Sequence, residues 1–148
     1  MPEVQVASFD ELESRVAYDL WALRSAVFVV EQDCPYLDLD GRDPEPGTRH
    51  VWVSDDGRPV AYLRILDDGD HARIGRVVVA ATHRGRGLAD DLMVAALRTI
   101  GGGPSSLEAQ SHLEKWYERY GYARSGDDYV EDGIRHTPMA RPAEAGLP

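Results

Sequence analysis

Cysteine is nearly absent: Cys34 is the only one in 148 residues. No intrachain disulfide can form, and a reducing, cytoplasmic setting is the expectation. No run of about 18 apolar residues occurs, which excludes a membrane-spanning helix and any membrane partner of that kind. The opening segment, MPEVQVASFDELES, is acidic and has no apolar stretch, so no secretory signal is expected there. Basic residues are few, 16 Lys and Arg against 26 Asp and Glu, for a net charge of -10. That argues against broad nucleic-acid binding, which needs a positive footprint, and is compatible with a cationic small substrate. The five histidines and one cysteine show no zinc spacing. Asp38, Asp40, Gly41 and Asp43 resemble part of a calcium loop. The glycine follows the second Asp directly, however, and Arg49 stands where a bidentate Glu is needed, so no metal is expected.

What is present reads as one soluble domain over 1–141, with 142–148 as a tail. Val4 to Ser8 alternates as a short strand, and Ser8 or Asp10 is placed to cap a following helix. Leu12, Val16, Leu20, Leu23 and Val27 form one helical stripe. Glu31 to Thr48 is rich in Asp, Pro and Gly, a loop long enough to suggest a functional role, and it is expected to shape the acceptor site, with Asp38 and Asp40 serving a cationic substrate. RHVWVS and RPVAYLRIL flank DDG, a hairpin signal. HARIGRVVVA is a third strand, whose Val77-Val78-Val79 end suggests burial on both faces. Leu88, Leu92, Ala96 and Ile100 mark a second helix stopped by GGGP. SSLEAQ is a strand, HLEKWYERYGY a helix, and two last strands surround DYVEDGIRH. The resulting order, β, α, long loop, β, β, β, α, β, α, β, β, predicts an α+β (mixed α/β) domain with a mixed sheet and helices on its faces.

The stretch THRGRGLADDLM concentrates positive charge at one helix entrance of an acidic chain. The first N–H groups of a helix have no internal partners, its dipole adds positive potential, and glycine lets backbone approach an anion closely. A phosphate-bearing ligand fits. A Walker A loop is absent, and a dinucleotide fingerprint fails because Asp90 occupies its third glycine position. A tight turn with solvated arginines remains the plain alternative.

Arg84-Gly85-Arg86-Gly87-Leu88-Ala89 resembles [QR]-x-x-G-x-[GA], the acyl-CoA pyrophosphate loop of the GNAT N-acetyltransferases. HLEKWYERYGY resembles the family's later helix, and the element order is similar over nearly the whole chain. LRSAVFVVEQDCPYLDLDGRD, IGRV and YVEDGIRH are similar to the ElaA-like branch. The resemblance implies that the backbone of Arg84, Gly85, Arg86, Gly87, Leu88 and Ala89 holds the pyrophosphate of acetyl-CoA. It further implies that Val77, Val78 and Val79 pair with the pantetheine arm, and that the SLEAQ strand splays away to admit the thioester. The fold it implies is a central, mostly antiparallel mixed sheet flanked by helices. Asp90 and Asp91 depart from a purely attractive loop and are expected to point outward.

Acetyl transfer needs a neutral amine, a stabilised oxyanion and a protonated leaving thiolate. The resemblance puts Tyr117 at the sulfur as proton donor, and a backbone N–H near Val79 at the oxyanion. Without it, Tyr117 reads as one packed aromatic among Trp116, Tyr120 and Tyr122. For the base, Glu31 is a candidate because an apolar wall raises a carboxyl. It could equally orient a cationic substrate or cap the helix end. His50, His136 and ordered water stay open, and Cys34 reads as a small loop hydrophobe. The resulting expectation is a cytoplasmic, acetyl-CoA-dependent N-acetyltransferase. Its acceptor is a small-molecule or protein amine, such as a lysine side chain, a polyamine or an amino sugar. The assembly is left open, a homodimer included. The rivals are a non-catalytic acyl-CoA sensor on the same fold and a phosphometabolite-binding regulatory domain.

Overall fold

A computed structural model describes residues 3–144. Strand β1 (Val4–Ala7) is followed by a short turn whose entry is closed by Glu11, whose carboxylate accepts from the Ser8 N–H at 2.9 Å and from its hydroxyl at 3.0 Å. Ser8 therefore caps this turn, and helix α1 (Ser14–Arg24) starts only afterwards. The helix widens into a π-helical segment (Ser25–Glu31), with Gln32 N–H reaching Val27 O and Cys34 N–H reaching Val29 O. Such widening is common at functional sites, and here it brings Val27, Phe28 and Glu31 to the wall of a cleft.

Strands β2 (Arg49–Asp55), β3 (Arg58–Asp67) and β4 (Ala72–Val79) form an antiparallel meander. The DDG turn joins the first two, with φ of 52° at Asp56 and 78° at Gly57, the backbone of a type I′ hairpin. Helix α2 (Leu88–Ile100) buries Leu88, Leu92, Met93 and Ala96 against the sheet, the expected stripe. Strand β5 (Ser105–Gln110), the short helix α3 (Glu114–Glu118), and strands β6 (Ala123–Arg124), β7 (Tyr129–Glu131) and β8 (Ile134–Arg141) complete the chain. The sheet order is β1-β2-β3-β4-β5-β8-β6, with β7 on β8. Only β4 and β5 are parallel. Beyond β8, the Glu144 N–H donates to Gly102 O at 2.9 Å; residues 145–148 of the expected tail lie outside the described residues.

The two sheet faces bury different things. Val51, Ala61, Leu63, Ile65, Ile74, Leu107 and Met139 pack with α2 and with Tyr117 and Tyr122. On the other face Trp52, Tyr62 and Val78 pack under α1 with Leu20 and Val27.

Beside this second cluster the long acidic loop folds back on buried arginines. Arg24 is wholly buried and holds Asp38 at 2.8 Å and Asp43 at 2.7 Å. Burial works against its charge, but the bond to Asp43 and the surrounding negative charge raise its pKa. Arg64 pairs with Asp40 at 2.5 Å and Asp43 at 3.1 Å, and Arg76 with Asp38 at 2.9 Å. Three arginines thus meet three aspartates. A buried charge left unpaired is far costlier than a paired one, which explains why the loop is pinned here. The expectation that Asp38 and Asp40 serve a cationic substrate is revised by this packing. Asp38 is buried on internal arginines. Asp40 keeps some exposure, but its carboxyl is held well below the usual range by Arg64.

Candidate active site

The cleft begins where β4 and β5 part. They pair only through Ala72–Ser105, Arg73–Ser106 and Ile74–Leu107. The cause lies in β4. Between Tyr62–Val78 and Arg64–Gly75, two steps on β3 face three on β4, so β4 carries a bulge. Arg76 takes it up at φ 55°, a left-handed conformation that costs a non-glycine residue about 1–2 kcal/mol. Its ion pair with Asp38 and its position over the Tyr36 ring at 5.6 Å hold it there. The bulge turns β4 away from β5 and opens a cleft of about 930 Å³.

Beyond the bulge, the edge of β4 is bare. Ala80 N–H donates to Val60 O at 2.8 Å, which makes 60–80 a hydrogen-bonded pair. The neighbouring Ala61–Val79 pair is then of the non-bonded kind, so the Val79 N–H and C=O turn away from β3 into the gap. Val77, Val78 and Val79 all border the cleft. The expected burial on both faces is only half met: Val78 is buried on the α1 face, whereas Val77 and Val79, on the other, stay half-exposed along the opening.

The glycine stretch stands at one end of this gap. Gly85 and Gly87 have φ of 79° and 77°, and a Cβ on either would meet no atom within 4 Å. The conformation demands glycine, and the space in front of the backbone is open. The first amide of α2 with an internal acceptor is that of Asp91, which reaches Gly87 O at 3.1 Å. Among the described residues, the N–H groups of Arg84 through Asp90 find no protein acceptor. Seven unpaired amides in a row at a helix N-terminus make a cradle suited to an anion. The Asp90 carboxylate is turned to the Tyr120 hydroxyl and Arg119. Asp91 is exposed.

Tyr117 comes from the α2 face. Its ring is edge-on to Trp116 at 4.8 Å and to Tyr122 at 6.4 Å, and it is 5% exposed at the cleft wall. Burial, then the nearby Tyr122, raises its pKa, so it holds its proton throughout the working pH range.

Glu31 requires a correction. A base needs a raised carboxyl, but both Glu31 oxygens accept from Arg84, at 2.7 and 2.8 Å. That bidentate pair lowers its pKa. Arg84 also donates from Nε to Val79 O at 3.1 Å, so the guanidinium lies across the bare end of β4. His50 is excluded as a base by burial. Its Nε2–H donates to Asp43 O at 3.0 Å and its Nδ1 accepts from the Tyr62 hydroxyl at 2.6 Å, which leaves no free nitrogen. Cys34 is buried, with its thiol on Asp132 O at 3.0 Å, tying the long loop to the β7–β8 turn. Among the described residues no group of three or more His, Cys, Asp or Glu is placed to hold a metal ion. No helix among them is long and apolar enough to cross a membrane.

Sequence reasoning missed the bulge and the π-helical segment. Gly75-Arg76 before a valine run was the one available signal for the bulge, because a glycine inside a strand often marks one.

Residues 26–142 match the acetyltransferase (GNAT) domain family. The chain is 42% identical over 150 residues to protein ElaA of Escherichia coli, covering 95% of this chain and 97% of that one. It is 42% identical over 139 residues to a UPF0039 protein of Mycobacterium tuberculosis, covering 89% and 88%. The crystal structure of E. coli ElaA superposes with a TM-score of 0.90 at 40% identity, covering 95% and 99%. That of an acyl-CoA N-acyltransferase from Pseudomonas aeruginosa also gives 0.90, at 39% identity and the same coverage. With its forked strands, bare β4 edge and open amide cradle, the chain belongs to the GNAT acyltransferase family and is ElaA-like.

Proposed function

We propose that the protein is an acetyl-CoA-dependent N-acetyltransferase that works by direct attack of a primary amine within a ternary complex. The observation that carries this reading is the unbroken run of free amides from Arg84 to Asp90, opening onto the free edge of β4. The amides fit the pyrophosphate, and the outward C=O of Val79 fits an amide N–H of a pantetheine arm, which leaves the Val79 N–H for the thioester oxygen. When bound, acetyl-CoA supplies the electrophilic thioester carbonyl. Arg84 would leave Val79 O while keeping its bidentate pair with Glu31.

The residues then divide the work. The amine nitrogen attacks the carbonyl carbon, the N–C bond forms and the C–S bond breaks. The Val79 N–H stabilises the negative charge developing on oxygen. Tyr117 donates its hydroxyl proton to the departing sulfur and regains one from the acylated nitrogen's proton pool. The acceptor is read as a cationic primary amine, drawn by the net charge of -10. The cytoplasm is the proposed setting, consistent with one buried, unpaired cysteine.

The test is incubation with acetyl-CoA and a panel of Nα-acetyl-lysine, spermidine and glucosamine, following thiol release and the acetylated amine together. Equal yields of both support the reading. Acetyl-CoA binding without any acetylated amine assigns the protein to sensing instead.

A further inference from the structure

The acceptor side of the cleft holds a histidine whose one free nitrogen points to a catalytic role. Cross-strand partners share a sheet face. On β5, Leu107 and Ala109 face α2 and pack in the core with Tyr117. Glu108 and Gln110 therefore face the opposite way. Gln110 pairs with His136 on β8, and His136 pairs with Tyr129 on β7. Glu108, Gln110, His136 and Tyr129 thus share the α1 side of the sheet, whereas Tyr117 lies on the α2 side. The gap between β4 and β5 joins the two.

His136 is held from two directions. Its Nδ1 lies 2.8 Å from Ile134 O. A carbonyl only accepts, so Nδ1 carries the proton and the neutral ring has its lone pair on Nε2. The ring stacks on Tyr129 at 5.5 Å and 17°. Tyr129 is fixed in turn, because its hydroxyl donates to Glu108 at 2.9 Å and Glu108 accepts from Arg73 at 3.3 Å. Nε2 has no partner among the described residues, and His136 borders the cleft. Of the other titratable groups at the cleft, Glu31 is committed to Arg84, Asp40 to Arg64, Glu108 to Tyr129 and Arg73, and His83 to Asp55, whereas His112, Glu131 and Asp132 are exposed to solvent and none is held in place as His136 is.

We propose that His136 Nε2 is the general base of the acetyl transfer, acting from the face opposite the acid Tyr117. This rests on the N-acetyltransferase reading. An incoming ammonium gives one proton to Nε2, which leaves a neutral amine and an imidazolium. The amine attacks the thioester carbon, and Tyr117 protonates the sulfur as the C–S bond breaks. The nitrogen's second proton restores the tyrosine, and His136 returns its own to solvent at the cleft mouth. One proton is released per amide formed. The charged groups on the same side of the sheet are Glu108, Glu131 and Arg73. Tyr129 and Gln110 are the neutral groups packed against the ring.

The test compares wild type with His136→Gln, using the best amine of the panel. The pH profile of kcat/KM and the calorimetric affinity for acetyl-CoA are both recorded. Wild-type kcat/KM should rise with pH and level off once the base is free of its proton. The variant should be about 100-fold slower at pH 7. Its deficit should shrink as pH rises toward the amine's own ionisation, and its acetyl-CoA affinity should stay within about twofold. A purely structural histidine would lower the rate equally at all pH values, and that outcome or superposed profiles overturn the proposal while acetyl transfer stands. If wild type acetylates no amine, the parent reading falls with it. Nitrogen-15 NMR of the histidine rings gives a check independent of activity and of the variant's folding: a proton resident on Nε2 of neutral His136 also overturns the proposal.

Discussion

Removing the Tyr117 hydroxyl separates chemistry from packing. The ring makes the edge-on contacts to Trp116 and Tyr122, and Tyr117→Phe keeps both. No hydrogen bond contributes to the phenol's raised pKa, so its loss leaves no buried partner unsatisfied. Stability should therefore change by less than about 0.5 kcal/mol, the scale of a substitution that disturbs no packing or bonding. The kinetic cost is larger. General acid catalysis is worth about 10²–10⁴-fold, or roughly 3–5 kcal/mol of barrier at about 1.4 kcal/mol per decade. Water in the open cleft can replace part of it, so kcat should fall at least about tenfold. The acetyl-CoA KM should move less, because the amide cradle and the Val79 edge are untouched. The raised pKa adds a signature: Tyr117 stays protonated across the assay range, so the variant's pH profile should keep its shape and lose only height. Tyr120→Phe, which loses the bond to Asp90, and Tyr122→Phe, which loses 2.7 Å contact with the Ser105 hydroxyl, serve as controls and should retain most activity. Wild-type turnover by Tyr117→Phe, measured by thiol release, refutes the assignment.

Glu31→Gln should keep kcat within about threefold and stability within about 0.5 kcal/mol, since exposed ion pairs contribute little; a hundredfold loss of turnover would return Glu31 to the chemistry. Asp38→Asn should lose about 3 kcal/mol in urea unfolding, because it strips a buried partner from Arg24. Unchanged stability with a selectively raised amine KM would instead place Asp38 in the acceptor site. Burial lowers the pKa of His50, so the folded state binds this proton less readily than the unfolded chain. Its stabilising effect is therefore complete above the unfolded value of about 6.5 and is lost as pH falls toward the folded value. Urea midpoints should decline from pH 7 to pH 5, and His50→Gln should flatten that slope; an unaltered slope would assign it to other groups.

Local regularities carried most of the architecture. The stripe from Leu88 through Ala96, the DDG turn and the alternating strands each act within a few residues, and each forms as the sequence predicts. The cradle was legible for the same reason, because glycine, charge and helix start lie together in one stretch. Long-range pairing was not legible. Asp38, Asp40 and Asp43 look like solvent-facing or substrate-facing acids until folding brings Arg24, Arg64 and Arg76 to them from distant elements. The carboxyl of Glu31 is misread on the same ground, since Arg84 lies far along the chain. The bulge at Arg76 is fixed by register against β3; Gly75 signals locally that a bulge can form there, but the pairing decides it. His136 could be noted as a histidine but not chosen, because its free nitrogen is defined by Ile134 and its face by pairing with Gln110.

The central claim is that the helix entrance holds the diphosphate of acetyl-CoA while the edge of β4 holds its arm. An amide NMR titration of the wild-type protein with acetyl-CoA reads both at once. The account predicts saturable shifts of the Arg84 to Asp90 amides, which have no acceptor in the protein, together with Val77 and Val79. Amides of the Arg49–Asp55 strand, on the far side of the sheet, should stay in place. Saturation that leaves the Arg84 to Asp90 amides unmoved, or no binding at all, would contradict it.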